Sequence, residues 1–221
     1  MARMSRMVIA CATVIEEMLP LLPPGVGHRV LDFGLHVNPA RLKEALQEEI
    51  DRSSAEAETI ILGYGLCSNA VLGLRANDCT LIVPRVDDCI AIFLGSRERH
   101  REIARQEPGS YYLTKGWIEV GDTPFSEYER TVQNYGKEKA DRITKVMLAH
   151  YTRLVLIDTG QYRMEESRDY ASSTAERFGL RFEEIAGSSE LVRKMIDGPW
   201  DASEFVVVPP GGTIDHGDFY R

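Results

Sequence analysis

The sequence predicts an α/β protein: mainly parallel sheets with helices on both faces, arranged as two pseudo-similar Rossmann-like halves. Three observations point there. Short apolar runs rich in Val, Ile and Leu alternate with helix-patterned segments, the rhythm of a parallel sheet. That β–α–β–α–β rhythm occurs twice, and in both halves a strand, LIVP and FVVVP, runs into proline. No low-complexity linker separates the halves, so the chain reads as one domain over 1–221 with halves at 7–108 and 109–221 sharing an interface.

The elements follow in order. Met7–Val14 reads as a buried strand. Glu16–Leu22 reads as a short helix stopped by Pro23-Pro24-Gly25, and His28–Gly34 as a second strand. Asn38 is a good N-cap and Pro39 a favoured first residue for a helix whose Leu42, Leu46 and Ile50 fall at helical spacing. Thr59–Leu62 is the third strand. It breaks at Gly63 and Gly65, exposes Cys67, and is expected to restart as a helix near Ser68 or Asn69. Leu81–Val83 is the fourth strand, after which Asp87 or Asp88 caps a helix with a break at Gly95.

In the second half, Ser110–Thr114 reads as a short strand. The stretch from about Thr123 to Tyr151 reads as two helices split near Gly136, and Leu154–Ile157 as a strand ending in Asp158-Thr159-Gly160. A helix over Met164–Phe178 ends at Gly179, a favoured residue just past a helix C-terminus. Leu180–Ile185 is a strand, Ser188 or Ser189 caps the helix ELVRKMI, and Glu204–Val208 is the last strand.

Composition bounds the function. The 221 residues are 43% hydrophobic and 27% charged, enough apolar content for a core and too little charge for disorder. A net charge of −8 and a pI of about 5.2 exclude nucleic acid or an anionic membrane as the main partner, since either requires a basic face. No apolar run reaches the roughly 18 residues of a membrane span. The N-terminal run after Arg3 and Arg6 ends at Glu16 and Glu17 without a small-residue cleavage site, so it reads as a first strand and places the chain in the cytoplasm. There, four cysteines point to metal binding or catalysis rather than to bridging.

Cys11 and Cys67 fall at strand exits, and Cys89 follows strand four at a helix start. Strand exits in a parallel sheet line one edge, so the three thiols can converge there. Cys79 precedes strand four and belongs to the opposite edge. A helix N-terminus lowers a thiol pKa, and Cys67 and Cys89 are expected to profit from it. Three thiolates can bind Zn²⁺ or hold an iron–sulfur cluster with an open iron site. Asp87, Asp88 and His216 are the candidate further ligands or proton carriers. The competing reading is that a cysteine among Ala10 and Ala12 is simply a small core hydrophobe, and no CxxC pair is present.

Other residues carry a functional and a plainer reading side by side. Gly63-Tyr64-Gly65 before Ser68 and Asn69 is a weak phosphate-cradle candidate, against a tight turn that needs glycine. Arg85 is a candidate for a ligand carboxylate or phosphate, against a salt bridge to Asp87 or Asp88. Tyr111, Tyr112, Lys115 and Trp117 would line a pocket for a planar or apolar small molecule, against ordinary core packing. His36 follows strand two at the same edge, and Asp158 is a turn residue in the second half.

The segments IACATV, LDFGLHVNP, ILGYGLCSNAVLGL, LIVPRVDDCIAIFLGS and YYLTKGW resemble the family catalogued as domain of unknown function 1638, over roughly Met7 to Gly212. The resemblance implies an intracellular role in one-carbon or methylamine-type metabolism in anaerobic bacteria and methanogenic archaea, often beside corrinoid-dependent methyltransferases. The family's motif cysteines match Cys11, Cys67 and Cys89. Many relatives have His where this chain has Asp87, so Asp87 either substitutes as an oxygen ligand or was never one.

The leading expectation is thus a zinc- or iron–sulfur-binding protein of methyl-group or sulfur metabolism, with Cys67 and Cys89 central and Cys11 third. One rival is a metal-free binding module or chaperone, holding an anionic or corrinoid-type ligand for a methyltransferase partner through Gly63–Asn69 and Arg85. Another is a thiol enzyme with Cys67 as nucleophile, activated by the helix dipole and by His216 or Asp88. Self-association into a homo-oligomer is a further expectation.

Overall fold

The N-terminal strand is the centre of the first sheet. A computed structural model of the chain describes residues 4–120 and 123–220, so Arg3 lies outside the described residues. In chain order the elements are β1 (Met4–Cys11), α1 (Ala12–Met18), β2 (Val26–Leu31), α2 (Pro39–Ser53), β3 (Ala57–Gly63), β4 (Thr80–Pro84), α3 (Cys89–Leu94) and α4 (Arg97–Gln106). They continue as β5 (Ser110–Leu113), α5 (Lys115–Val120), α6 (Pro124–Tyr135), α7 (Lys137–Met147), β6 (Arg153–Asp158), α8 (Glu165–Phe178), β7 (Arg181–Ala186), α9 (Glu190–Asp197) and β8 (Phe205–Val208). Mixed α/β architecture with mostly parallel strands is what the alternation of apolar runs and helical segments predicts.

The chain forms two compact units, one up to Arg97 together with Ser188 onward, the other Glu98–Gly187. The division differs from halves at 7–108 and 109–221. The reason is β8, which leaves the second unit and pairs with β4, carrying the C-terminal segment back to the first.

The first unit holds a five-stranded sheet in the order β2-β1-β3-β4-β8. β1 is buried from Met7 to Cys11 and runs parallel to β2 on one side and β3 on the other. β3 and β4 are also parallel. From β1 the chain turns to one side, to β2, and from β3 to the other, to β4. The carboxyl ends of β1 and β3 are therefore the switch point at which open α/β sheets take ligands. Helix α2 starts as its cap residues dictate: the Asn38 side chain accepts from the Arg41 amide at 3.2 Å and Pro39 is its first residue. It buries Leu42, Leu46 and Ile50.

β8 is antiparallel to β4, with Leu81 opposite Val208 and Pro84 opposite Phe205. It therefore ends at the amino edge of the sheet, where the exit of a parallel strand would be at the carboxyl edge. After β8 the chain turns back along the 73–76 segment, with Arg75 bridged to Thr213 and the Gly73 amide donating to the Ile214 carbonyl at 2.9 Å.

The second unit holds the parallel sheet β5-β6-β7. Leu113, Leu154 and Leu156 from the sheet pack with Phe125 of α6 and Ala171 and Ala175 of α8. Buried Arg153 is held inside this unit, donating from Nε to Ser110 Oγ at 2.7 Å and from Nη1 to Glu183 Oε2 at 2.6 Å. Among the described residues no helix is long and apolar enough to cross a membrane.

Candidate functional site

The site grows from the register of β1 and β3. Ala10 lies opposite Gly63, so Cys11 and Tyr64 leave the sheet side by side. The approach requires a glycine: a Cβ on Gly63 would stand 2.6 Å from the Ala10 Cβ. Gly65 has the same role two residues further on, where a Cβ would meet the Val86 carbonyl oxygen at 2.6 Å. There the loop after β3 lies against the loop after β4. The Leu66 amide donates to the Val86 carbonyl at 2.9 Å and the Cys67 amide to the Asp87 carbonyl at 3.1 Å. Those two amides are spent on the protein, and the two glycines allow the close packing.

No helix follows Cys67. Residues 67–73 form turns, and Cys67, Ser68 and Asn69 all adopt positive φ, at 43°, 57° and 68°. Three consecutive left-handed residues without a glycine are unusual, since each non-glycine residue there costs about 1–2 kcal/mol. The turn is closed by the Ala70 amide on the Cys67 carbonyl at 3.2 Å and the Leu72 amide on the Asn69 carbonyl at 3.1 Å. The apolar Ala70, Val71 and Leu74 are buried beneath it, while Ser68 and Asn69 face solvent. The apolar spacing that reads as a helix is thus satisfied by a tethered turn, and the expected helix N-terminus at Cys67 is absent.

The structure brings Cys11, Cys67 and Cys89 within electrostatic reach of one another, and none is in a disulfide. Cys11 and Cys89 are buried and Cys67 is half-buried. All three thiols are pushed upward, opposite to the lowered pKa expected at helix starts. Burial is the main cause for each. For Cys67, pushed up to about 12, the neighbouring Cys11 and the Asp88 carboxylate add to it. For Cys89 the additions are Cys11, Cys67 and Asp88, although Cys89 is the first residue of α3. For Cys11 a hydrogen bond with Thr13 Oγ1 at 3.2 Å opposes the shift without cancelling it. The six residues of α3 offer too little dipole to offset desolvation and like charge. The thiols are gathered but not closed: among the described residues, no three His, Cys, Asp or Glu side chains are grouped so as to hold a metal ion.

The two aspartates divide the work. Asp88 caps α3, its Oδ1 accepting from the Ile90 amide at 2.9 Å, and its charge acts on Cys67 and Cys89. Asp87 instead lies against Arg97 at 3.5 Å. Asp88 is therefore the carboxylate that faces the thiols.

Tyr64 completes the group. Its ring is almost wholly buried, and its hydroxyl is within electrostatic reach of all three thiols. Burial, reinforced by those thiols, pushes the phenol far upward. Among the described residues the hydroxyl has no hydrogen-bond partner. His36 stacks on the Tyr64 ring at 5.9 Å and its Nδ1 lies 2.9 Å from the Phe33 carbonyl. A carbonyl can only accept, so Nδ1 carries a proton. Nothing in the sequence marks the Tyr64 hydroxyl apart from its place between two glycines.

Other candidate residues stand elsewhere. His216 is exposed, stacks on Tyr220 at 4.7 Å, and is not among the groups acting on the thiols. Arg85 is buried and donates from Nε to the Phe205 carbonyl at 3.0 Å. Lys115 and Trp117 belong to the second unit. Lys115 pairs with Glu119 at 2.6 Å and sits over the Tyr162 ring, and Trp117 packs on the core of that unit. Asp158 forms a turn, its Oδ1 accepting from the Gly160 amide at 2.8 Å.

Thiols and a phenol brought within electrostatic reach of one another at the switch point of a parallel sheet define an α/β protein with a candidate thiol site. The chain belongs to the family described as Protein of unknown function (DUF1638), whose model matches residues 30–196. No curated protein and no solved structure matches the chain.

Proposed function

We propose that the protein binds a thiophilic transition-metal ion or a small iron–sulfur cluster through Cys11, Cys67 and Cys89, in methyl-group or sulfur metabolism of the kind the family resemblance implies. The observation that carries this reading is the meeting of three unbridged thiols at the switch point of the sheet. The donor type suits the group, since soft sulfur ligands are those of Zn²⁺ and iron–sulfur clusters, and holding one requires the three thiols to close further than they stand. A bound cation also answers the electrostatics, since it favours the thiolates that burial and Asp88 now disfavour. Three protein ligands leave one position open for substrate, the arrangement of a catalytic rather than a structural site. Such a group supplies a Lewis acid at that position. The chain itself buries the sulfurs, holds Cys67 on its turn and presents Asp88 at the rim.

The thiol-nucleophile rival needs a thiolate at neutral pH, which is opposite to the direction of all three shifts. A corrinoid methyltransferase partner rests on the resemblance alone. Anaerobic titration with Co²⁺ tests the metal reading through the thiolate-to-cobalt charge-transfer band. One equivalent is expected in the wild type, with at least about 100-fold weaker binding in Cys67→Ala. No band, or an unchanged band in that variant, would sink it.

A further inference from the structure

We infer that the Tyr64 hydroxyl donates a hydrogen bond to an acceptor atom of the small molecule that occupies the thiol site. This deepens the metal reading and rests on it. It assigns to the site a ligand with an anionic or lone-pair-bearing atom at the open metal position.

A buried hydroxyl without a partner is costly, which is why nearly all such groups in folded proteins are bonded. Tyr64 is 1% exposed, and its oxygen has neither a partner among the described residues nor access to solvent. A phenylalanine would fill the same volume without that cost. The ring is firmly held: the Ala10–Gly63 register sets the residue beside Cys11, and His36 stacks on its face. The hydroxyl is thus held unsatisfied among the described residues, within electrostatic reach of the three thiols. Groups near it are Cys11 from β1, Cys67 from the turn and Cys89 at α3, with His36 from the segment after β2 on its ring; Asp88 acts on Cys67 and Cys89. A phenol O–H donates to one acceptor at a time, so it selects a ligand with an acceptor atom next to the metal over one presenting an N–H or a methyl group there.

The test compares wild type and Tyr64→Phe in two measurements. In the metal-free proteins, Tyr64→Phe is expected to melt roughly 2–4 °C higher, because an unpaired buried hydroxyl is removed. In the Co²⁺-loaded proteins, azide serves as the acceptor probe. Co²⁺ affinity is expected to be equal in both, with azide binding about 5- to 10-fold weaker in Tyr64→Phe by the shift of the cobalt absorption. Equal azide affinities with normal cobalt bands overturn this assignment and leave the metal reading standing. A clear loss of melting temperature overturns it too, by showing that the hydroxyl has a partner within the protein. No cobalt band in the wild type overturns both readings together.

Discussion

The amide of Cys67 donates to the carbonyl of Asp87 at 3.1 Å, so the residue that presents the central thiol is tied to the loop that places Asp88 and Cys89. The bond joins the exits of two adjacent parallel strands, beyond the last registered pair of β3 and β4. Through it, any change in the β4 exit reaches Cys67 without touching the sulfur.

Gly65→Ala tests this link. The new Cβ would press on the Val86 carbonyl, on a Val86 methyl and on the Asp88 amide, all at 3.0 Å or less, and backbone atoms yield poorly. Overpacking of this kind costs about 1–3 kcal/mol. Urea unfolding should show that loss, and the rate of Cys67 alkylation should change with it. Wild-type stability together with wild-type reactivity would show that the two loops do not need this contact.

The left-handed turn makes the opposite prediction. Ser68 is exposed, so Ser68→Gly relieves strain without losing a packed side chain. The relief of about 1–2 kcal/mol is partly offset by the extra freedom of glycine in the unfolded chain, for a net gain of about 0.5–1 kcal/mol. Asn69→Gly should gain less, because asparagine tolerates this conformation. Melting temperatures of the two variants check the order, and a destabilised Ser68→Gly would contradict the strain argument.

Stability should fall in alkali. An unfolded cysteine titrates near 8.5, and Cys67 is pushed up to about 12 in the folded chain. The folded state holds the proton more tightly, so this contribution is complete below about pH 8.5 and is lost as the pH rises toward 12. The metal-free protein is expected to lose melting temperature from about pH 9 upward, and Cys67→Ser to lose less over the same range. Parallel curves for the two proteins would remove Cys67 as the cause.

Asp88→Asn separates charge from structure. Asparagine caps a helix about as well as aspartate, so α3 should keep its start and the protein its stability within about 0.5 kcal/mol. The charge that raises Cys67 and Cys89 is gone, so both thiols become more acidic. Iodoacetamide should then modify the variant faster than the wild type at about pH 8, by several-fold. An equal rate would place the Asp88 charge out of reach of the thiols.

Much of the frame was legible in the chain. The apolar runs at Met7–Cys11, Ile60–Gly63 and Leu81–Pro84 are strands because every residue in them is buried from the sheet's two faces, a pattern that periodicity records directly. Asn38-Pro39 and Gly95 punctuate helices through local chemistry, by capping and by a positive φ of 84°. The strand exits placed Cys11 and Cys67 at one edge of a parallel sheet by topology alone.

What the chain could not announce depends on partners distant in sequence. The spacing of Ala70, Val71 and Leu74 suits a helix, yet the segment forms a turn because its amides and carbonyls find Val86, Asp87 and Ile214 instead. The direction of β8 is settled by its pairing with β4, and that pairing alone decides that the segment bearing His216 does not simply continue from the carboxyl edge. The rise of the thiol pKa values was hidden for the same reason: residue type and position suggested a helix dipole, while burial and mutual proximity belong to the folded state. By itself the sequence determined an α/β sheet with thiols at its strand ends, since strand patterning and chain polarity are local. Only the tertiary structure decided that burial raises those thiols and leaves a tyrosine hydroxyl near them without a partner among the described residues, because desolvation and hydrogen-bond satisfaction are properties of what surrounds a group rather than of what precedes it in the chain.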